Sequence, residues 1–340
     1  MSVETTSPKP ARPSLPKLPF RLPVDGYVLA LIGTVIIAAI LPARGIGADA
    51  MGYVTYLAVA LLFFLYGARL SPQAILAGIM HWRLQGLVFL ATFVTFPILG
   101  VLIALVFRPW LTPDLSTGLI FLSVLPSTVQ SSIAFTSIAR GNVPAALCSA
   151  SISNLLGIVV TPLLVALLLS GHGGGFSLSA LRDIALQLLL PFGLGQAARP
   201  FVGKWIVAHK KLTSFVDRGS ILLIVYGAFS EGMVAGVWSQ LSWQSLALVL
   251  VLDLLMLAIG LVITTVVSRR LKFSKEDEIA IVFCGSKKSM ASGIPMANIL
   301  FAGQAVSLIV LPLMLFHQAQ LMACAAIARR YARRAEPTAQ

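Results

Sequence analysis

The sequence predicts an all-α polytopic membrane protein of ten transmembrane helices, arranged as two inverted five-helix repeats with one broken helix in each. Three observations carry this. The chain has 340 residues, 58% of them hydrophobic and 11% charged, with a mean hydropathy of +0.92. A soluble domain carries about 25% charged residues, so this chain lacks the charge to cover a water-facing surface. Its apolar residues fall into ten runs near the length of about 20 that a helix needs to cross a bilayer. The fourth and ninth runs are both interrupted by small and polar residues.

In chain order, residues 1–26 form a polar, Pro-rich, basic tail with Lys9, Arg12, Lys17 and Arg21, a composition that favours disorder. The apolar spans follow at about 27–43, 51–68, 85–107, 118–139, 143–170, 181–198, 219–238, 244–267, 279–301 and 304–327, read from hydrophobic run length. The ten-helix domain covers 27–330, and residues 331–340 form a second tail. The stretch at 72–82, PQAILAGIMHW, is too short to span and reads as an amphipathic connector. The first run, followed by Ala48-Asp49-Ala50, can also be read as a signal peptide. It is longer than a usual signal core, and removing it would break the even count. Trp205, Trp238 and Trp243 read as interface anchors. Cys148, Cys284 and Cys324 all fall in apolar segments. They give no disulfide framework and behave as small core hydrophobes.

The formal net charge of +13 first suggests nucleic acid, but its distribution points elsewhere. With both termini cytoplasmic, the inside segments hold Lys9, Arg12, Lys17, Arg21, Arg69, Arg83, Arg140, Arg199, Lys204, Lys210, Lys211, Arg218, Arg269, Arg270, Lys272, Lys275, Arg329, Arg330, Arg333 and Arg334, 20 in all. The outside loops hold Arg44, Arg108 and Arg182, 3 in all. That asymmetry follows the positive-inside rule. It makes the basic balance an orientation device, sets aside nucleic acid as a partner, and lets the inside loops meet anionic lipid headgroups.

Spans 4 and 9 occupy corresponding places, each the fourth of five. Span 4 contains LPSTVQSSIAFTSIA and span 9 contains CGSKKSMASGIPMA. A short polar connection follows each, Arg140-Gly141-Asn142 and Ala302-Gly303-Gln304. Five is odd, so the second half must be inverted relative to the first. Interrupted helices in corresponding positions of inverted halves mark a transporter's binding site. A broken helix frees backbone groups that lipid cannot satisfy, and these are tolerated where they line a cavity. Pro126 removes one donor and disfavours helix at Leu125. Ser127, Thr128, Gln130, Ser131, Ser132 and Thr136 supply replacement partners. Hydroxyls bonded back to their own helix are the alternative.

Span 9 carries the sharpest feature, the adjacent Lys287 and Lys288, followed by Ser289. A charged side chain at the bilayer centre costs at least about 2.5–3.5 kcal/mol. Lys287 lies nine residues beyond Glu278, about 13 Å at the helical rise, near the midplane of a core about 30 Å thick. Snorkelling does not reach the surface from there. Adjacent residues point about 100° apart on a helix, so one lysine can face a cavity while the other holds freed carbonyls or pairs with an acid. A buried lysine also loses its proton readily, which keeps proton coupling open. Glu231 in span 7 and Asp253 in span 8 are the candidate acids. Glu231 either faces the site or sits hydrated near the outer end. Asp253 reads most simply as a counter-ion to a lysine. His317 in span 10 reads as a hydrogen-bonded core histidine ahead of a proton relay.

PSTVQSSIAFTSIARGN, the Ser-rich ALCSASISNLLGIVVTPLL and FCGSKKSMASGIPMA resemble the bile acid:sodium symporter superfamily, in its bile-acid-transporter-like (SBF-like) branch of sodium-dependent transporters. The resemblance covers roughly 27–330. It implies a panel of spans 1, 2, 6 and 7, a core of spans 3–5 and 8–10, and unwound spans 4 and 9 that cross near the midplane. Substrate would bind between the two units and move by alternating access. The bile acid carriers read P-G-G-x-x-S-N in span 4; here Ser131 matches the sodium-ligating Ser, and Ser132 replaces the ligating Asn. Ser149, Ser153 and Asn154 keep the polar face of span 5. The carriers' E-x-G-x-Q-N in span 9, aligned on Gly285, places Phe283 at the acid, Lys287 at the Gln and Lys288 at the Asn. The sodium-binding carboxylate is therefore missing, and ammonium groups stand where sodium ligands belong. Ser131 and Ser132 are the metal ligands only if a sodium site persists.

The reading is a secondary transporter of an organic anion, sterol-like or otherwise amphipathic, with sodium or a proton as possible coupling ion and no cofactor. It sits in a bacterial inner membrane, and its oligomeric state is open. A proton-coupled or cation-antiporter-like carrier and a non-transporting regulator of ion handling are the alternatives. An enzyme is disfavoured: no metal-ligand spacing, nucleophile–base pair or Walker A loop is present.

Overall fold

The computed structural model describes residues 26–69, 81–169, 185–236 and 241–333. Residues 1–25, most of the connector at 72–82, Arg182, Trp238 and residues 334–340 lie outside these ranges. Among the described residues every regular element is helical. We number them α1 Gly26–Ile40, α2 Ile46–Arg69, α3 Trp82–Val106, α4 Pro113–Val124, α5 Val129–Ile138, α6 Val143–Leu169, α7 Leu190–Ala208, α8 Lys210–Val234, α9 Trp243–Arg270, α10 Lys275–Gly285, α11 Met290–Leu300 and α12 Val306–Ala332.

Six of these, α2, α3, α6, α8 from Lys211, α9 and α12, are long and apolar enough to cross a membrane. The pair α4–α5 meets the same test as one span bent by 59° at its break. Span 7, expected from residue 219, begins at Lys210 instead. Its first turns are polar, and Asp217 there is paired with Arg69 at 2.9 Å. That pairing lets the helix extend past its apolar run.

The helices pack in two groups. In one, α2 crosses α7, and α8 packs on α1 and α2. The α2–α7 crossing is glycine-dependent. A Cβ on Gly67 would run into the carbonyl oxygen of Phe192, and a Cβ on Gly195 would run into that of Phe64. Each glycine thus faces the carbonyl three residues before the other. In the second group α12 packs against α4, α9 and α11, and α10 lies against α3, α5 and α6. Here α10 is anchored at its start. Glu278, 3% exposed, accepts from Arg269 at 3.1 and 3.2 Å, from Lys275 at 2.6 Å and from the Tyr331 hydroxyl at 2.8 Å. Asn142, in the turn between α5 and α6, donates to Asp277 at 2.8 Å.

The glycine contacts predict an asymmetry within α7. Gly195→Ala and Gly67→Ala each cost about 1–3 kcal/mol, because backbone cannot yield as a side chain would. Gly193, whose added Cβ meets nothing within 4 Å, is stabilised by about 0.5–1 kcal/mol on change to Ala. Thermal midpoints of the purified variants check both directions.

Candidate functional site

Between α4 and α5 the chain leaves the helix over residues 125–128, and between α10 and α11 over 286–289; the two breaks are bonded to each other. The last carbonyls of any helix have no partner within it. At the end of α4 and along the break, five carbonyls find one elsewhere. Val124 O accepts from the Thr161 hydroxyl at 2.8 Å. Pro126 O accepts from Ser289 N–H at 2.8 Å. Ser127 O accepts from the Asn154 amide at 2.6 Å. Ser123 O and Leu125 O accept from the ammonium of Lys288, at 2.6 and 2.9 Å.

Lys288 is fully buried. Its third acceptor is Thr92 O at 2.8 Å. Thr92 lies in a π turn, Ala91–Thr95, inside α3, a geometry that takes carbonyls out of the regular ladder. An ammonium has three donors, so Lys288 is saturated by three backbone carbonyls. The Phe96 ring closes the cage at 4.5 Å. The same positive charge sits at the negative, C-terminal end of α4.

Lys287, also fully buried, is held differently. Its hydrogen-bond acceptor is Ser131 Oγ at 3.1 Å, and its ammonium lies over Phe135 at 4.4 Å and Phe283 at 5.7 Å. Ser132 donates to Phe283 O at 3.0 Å. Both hydroxyls that match a sodium-ligating position are thus engaged by protein groups.

The unwound peptide of Lys288 is clamped by a side chain. Its N–H donates to Gln320 Oε1, and its carbonyl accepts from Gln320 Nε2, both at 2.9 Å. The Thr128 hydroxyl donates to the same carbonyl at 2.8 Å. Gln320 Nε2 is also 2.9 Å from His317 Nδ1.

A cavity of about 710 Å³ lies between α2, α7 and α8 on one side and α5, α6, α11 and α12 on the other. The N-terminal ends of both second half-helices open into it. Thr128, Val129, Gln130 and Ser131 line it from α5, and Ser289, Met290, Ala291 and Ser292 from α11. Thr128 commits its hydroxyl to Lys288 O, so α5 starts without a side-chain cap. Such an end carries partial positive charge and outward N–H groups; at α11 Ser289 Oγ caps one of them, Ser292 N–H, at 3.2 Å. Asn154 is on the wall and accepts from Ser292 Oγ at 2.6 Å. Phe63, Ile158, Phe192, Ile221, Met296 and Met322 give an apolar middle, and Arg69, Asp217 and Arg218 line it from α2 and α8.

Of the predicted site residues, Thr128, Gln130, Ser131, Asn154 and Ser289 line this cavity. Ser127, Ser132, Ser149 and Ser153 are buried behind it. Ser153 accepts from Ser127 N–H at 3.0 Å. Lys287 and Lys288 lie one layer deeper than the wall, Lys287 touching it through Ser131. Two expectations are corrected. Glu231 is exposed and off the cavity; it stands thirteen residues past Arg218, about 20 Å farther along α8. Asp253 is no counter-ion: its buried carboxylate has no hydrogen-bond partner, because the freed carbonyls already hold Lys288. Sequence reasoning missed Gln320, Thr92 and the Arg69–Asp217 pair. The polar run His317-Gln318-Ala319-Gln320 in an apolar helix was the available signal for the first.

Residues 25–333 match the SBF-like CPA transporter family. The chain is 56% identical over 316 residues to the uncharacterized protein PA2026 of Pseudomonas aeruginosa, covering 93% of this chain and 95% of that one. It is 53% identical over 317 residues to the Escherichia coli chain named "Putative symporter YfeH", covering 93% and 95%. It is 31% identical over 276 residues to sodium/bile acid cotransporter 7 of Xenopus tropicalis, covering 79% of each. The apolar helices, the broken span and these matches agree, and the chain belongs to the SBF-like CPA transporter family, as a membrane transporter rather than an enzyme.

Proposed function

We propose that the chain is a secondary transporter of an organic anion, working by alternating access, in which the fixed ammonium of Lys288 replaces a bound coupling cation. The observation that carries this is the convergence of two half-helix N-termini on one cavity, with the Lys287 ammonium directly behind Ser131. Helix N-termini attract anions through free N–H groups and the dipole, and transporters use broken helices for this purpose. The cavity volume is in the range of small-molecule sites. Its apolar middle suits an amphipathic body, sterol-like or smaller, which accords with a relative named as a bile acid cotransporter.

In this reading the twelve helices form ten spans in two inverted repeats, α4–α5 and α10–α11 each counting as one. Helices α1, α2, α7 and α8 are the panel, and the others are the core that moves against it. The basic helix ends, such as Arg269–Arg270 and Arg329–Arg330, support a cytoplasmic position for both termini in a bacterial inner membrane. The residues at the crossing do not fit a sodium ion. Three carbonyls are taken by Lys288, Ser131 accepts from Lys287, and Ser132 donates to a backbone carbonyl.

The test is thermal stabilisation of the purified chain by two probes, cholate and octanoate, in sodium and in choline buffer. A ligand that binds the folded state raises the midpoint with concentration. Cholate is expected to do so equally in both buffers. A rise that needs sodium sinks the fixed-cation reading, and no rise with either anion sinks the anion reading.

The two lysines separate in the same assay. Lys288→Met leaves three buried carbonyls without a donor, at about 1–3 kcal/mol each, so the variant is expected to lose stability first. Lys287→Gln removes the positive charge behind Ser131 and keeps a donor there. It is expected to stay folded and to weaken cholate binding by about tenfold, or about 1.4 kcal/mol.

A further inference from the structure

We infer that His317 is a proton-binding site whose occupancy controls the helix crossing. The inference deepens the transport reading and rests on it for its purpose, though not for its chemistry. The peptide of Lys288 fixes the orientation of the Gln320 amide: a backbone N–H can only donate and a carbonyl can only accept. Gln320 Oε1 therefore faces Lys288 N–H, and Nε2 faces Lys288 O, each at 2.9 Å. The amide cannot be reversed without losing both bonds. Its Nε2 carries two hydrogens. One goes to Lys288 O, and the other points at His317 Nδ1, 2.9 Å away. That ring nitrogen must therefore be an acceptor, and His317 must be neutral with its proton on Nε2.

Protonation of His317 places N–H on both ring nitrogens. Nδ1–H then meets the Gln320 N–H head on. The conflict is relieved by turning the Gln320 amide over, so that Oε1 accepts from Nδ1–H. The turned amide presents N–H to the Lys288 N–H and oxygen to its carbonyl, so both clamp bonds break. The proton comes from solvent through the cavity, which His317 lines, and it returns there when the clamp re-forms. Protonated His317 and a clamped Lys288 peptide are thus mutually exclusive states. One of the two half-helix N-termini, that of α11, begins immediately after that peptide.

Other ionisable groups lie near the clamp: Lys288 carries it, and Lys287, one residue before, donates to Ser131 of α5. Of the elements packed against α12, α5 and α11 carry no titratable side chain. On α4 the one such group is Asp114, in its first turn and away from the break. On α9, besides Arg269 and Arg270 in its last turn, it is Asp253, with no hydrogen-bond partner. Asp217 and Arg218 of α8, with Arg69 of α2, share the cavity wall with His317. The ammonium of Lys288 is held by its carbonyls on the far side of the peptide.

The experiment is hydrogen exchange read by mass spectrometry on the full-length chain in lipid nanodiscs, without any substrate. Rates for peptides covering residues 284–292 are corrected for intrinsic pH dependence and compared between about pH 8 and pH 5, the range in which an ordinary imidazole titrates. In the wild type this segment is expected to exchange about tenfold faster at the lower pH, as clamp opening exposes it. His317→Leu and His317→Gln cannot titrate, and both should lose the pH response. Gln320→Leu can neither accept from Lys288 N–H nor donate to Lys288 O, and should exchange fast at both pH values. A pH-independent wild type, or a full response retained in either His317 variant, overturns the inference. The readout needs no anion, so its failure is separate from a failure of cholate to bind.

Discussion

Everything at the centre of this protein depends on one ammonium group and three carbonyl oxygens. A helix that stops in mid-membrane leaves backbone groups that lipid cannot satisfy. Each costs about 1–3 kcal/mol if unpaired. Lys288 satisfies three of them at 2.6–2.9 Å. Burying the ammonium carries a penalty of several kcal/mol of its own, offset here by three charge-assisted bonds and by the Phe96 ring. The acceptors come from the π turn of α3 and the frayed end of α4. One side chain from the second break therefore ties down the first break and a third helix. The Ser289–Pro126 and Thr128–Lys288 bonds then join strands of backbone that are already in place.

The neighbouring lysine shows how little the residue type alone decides. Both lysines are fully buried, and both come from the same loop between α10 and α11. Lys288 meets carbonyls that point at it from two other segments and is locked. Lys287 meets one hydroxyl and two aromatic faces, partners that hold a cation less tightly and leave it freer to respond. The difference arises in the unwound stretch that carries both, where successive side chains leave the backbone on different sides, one ammonium entering the core and the other reaching toward the cavity wall. A tethered cation also differs from a bound ion in kind: it cannot leave.

This also explains what could be read from the sequence. The two breaks were legible, because proline and a dense run of serines interrupt an apolar span in a way lipid does not tolerate. The depth of the lysines was legible from simple helical rise. Their partners were not. A carbonyl acceptor is supplied by the backbone, so Thr92, Ser123 and Leu125 hold Lys288 with a group that every residue possesses. The sequence allowed freed carbonyls or an acid as the partner; it could not say which carbonyls, and its candidate acid, Asp253, is not the partner. Glu231 misled for a related reason: its chemistry suited the site, but its position along α8 is set by where the cavity ends. Gln320 was visible as a polar residue in an apolar helix, yet its role needs the unwound peptide opposite it, which only the fold provides.

The clamp and the cavity share a single structural element, and thermodynamics then couples them. The N-terminus of α11 faces the cavity at Ser289 and Met290, and the peptide just before it is the one held by Gln320. In the proposed cycle an anion seated on that N-terminus binds best to one arrangement of the peptide. A proton on His317 is compatible with only the unclamped arrangement. Two ligands that prefer different states of one element oppose each other, and two that prefer the same state cooperate. In either case linkage is reciprocal: the factor by which the proton changes anion affinity equals the factor by which the anion changes proton affinity. A carrier needs no bound metal ion to use such coupling. It needs one fixed charge to keep the broken helices in place and one titrating group to loosen them, the parts we propose for Lys288 and His317.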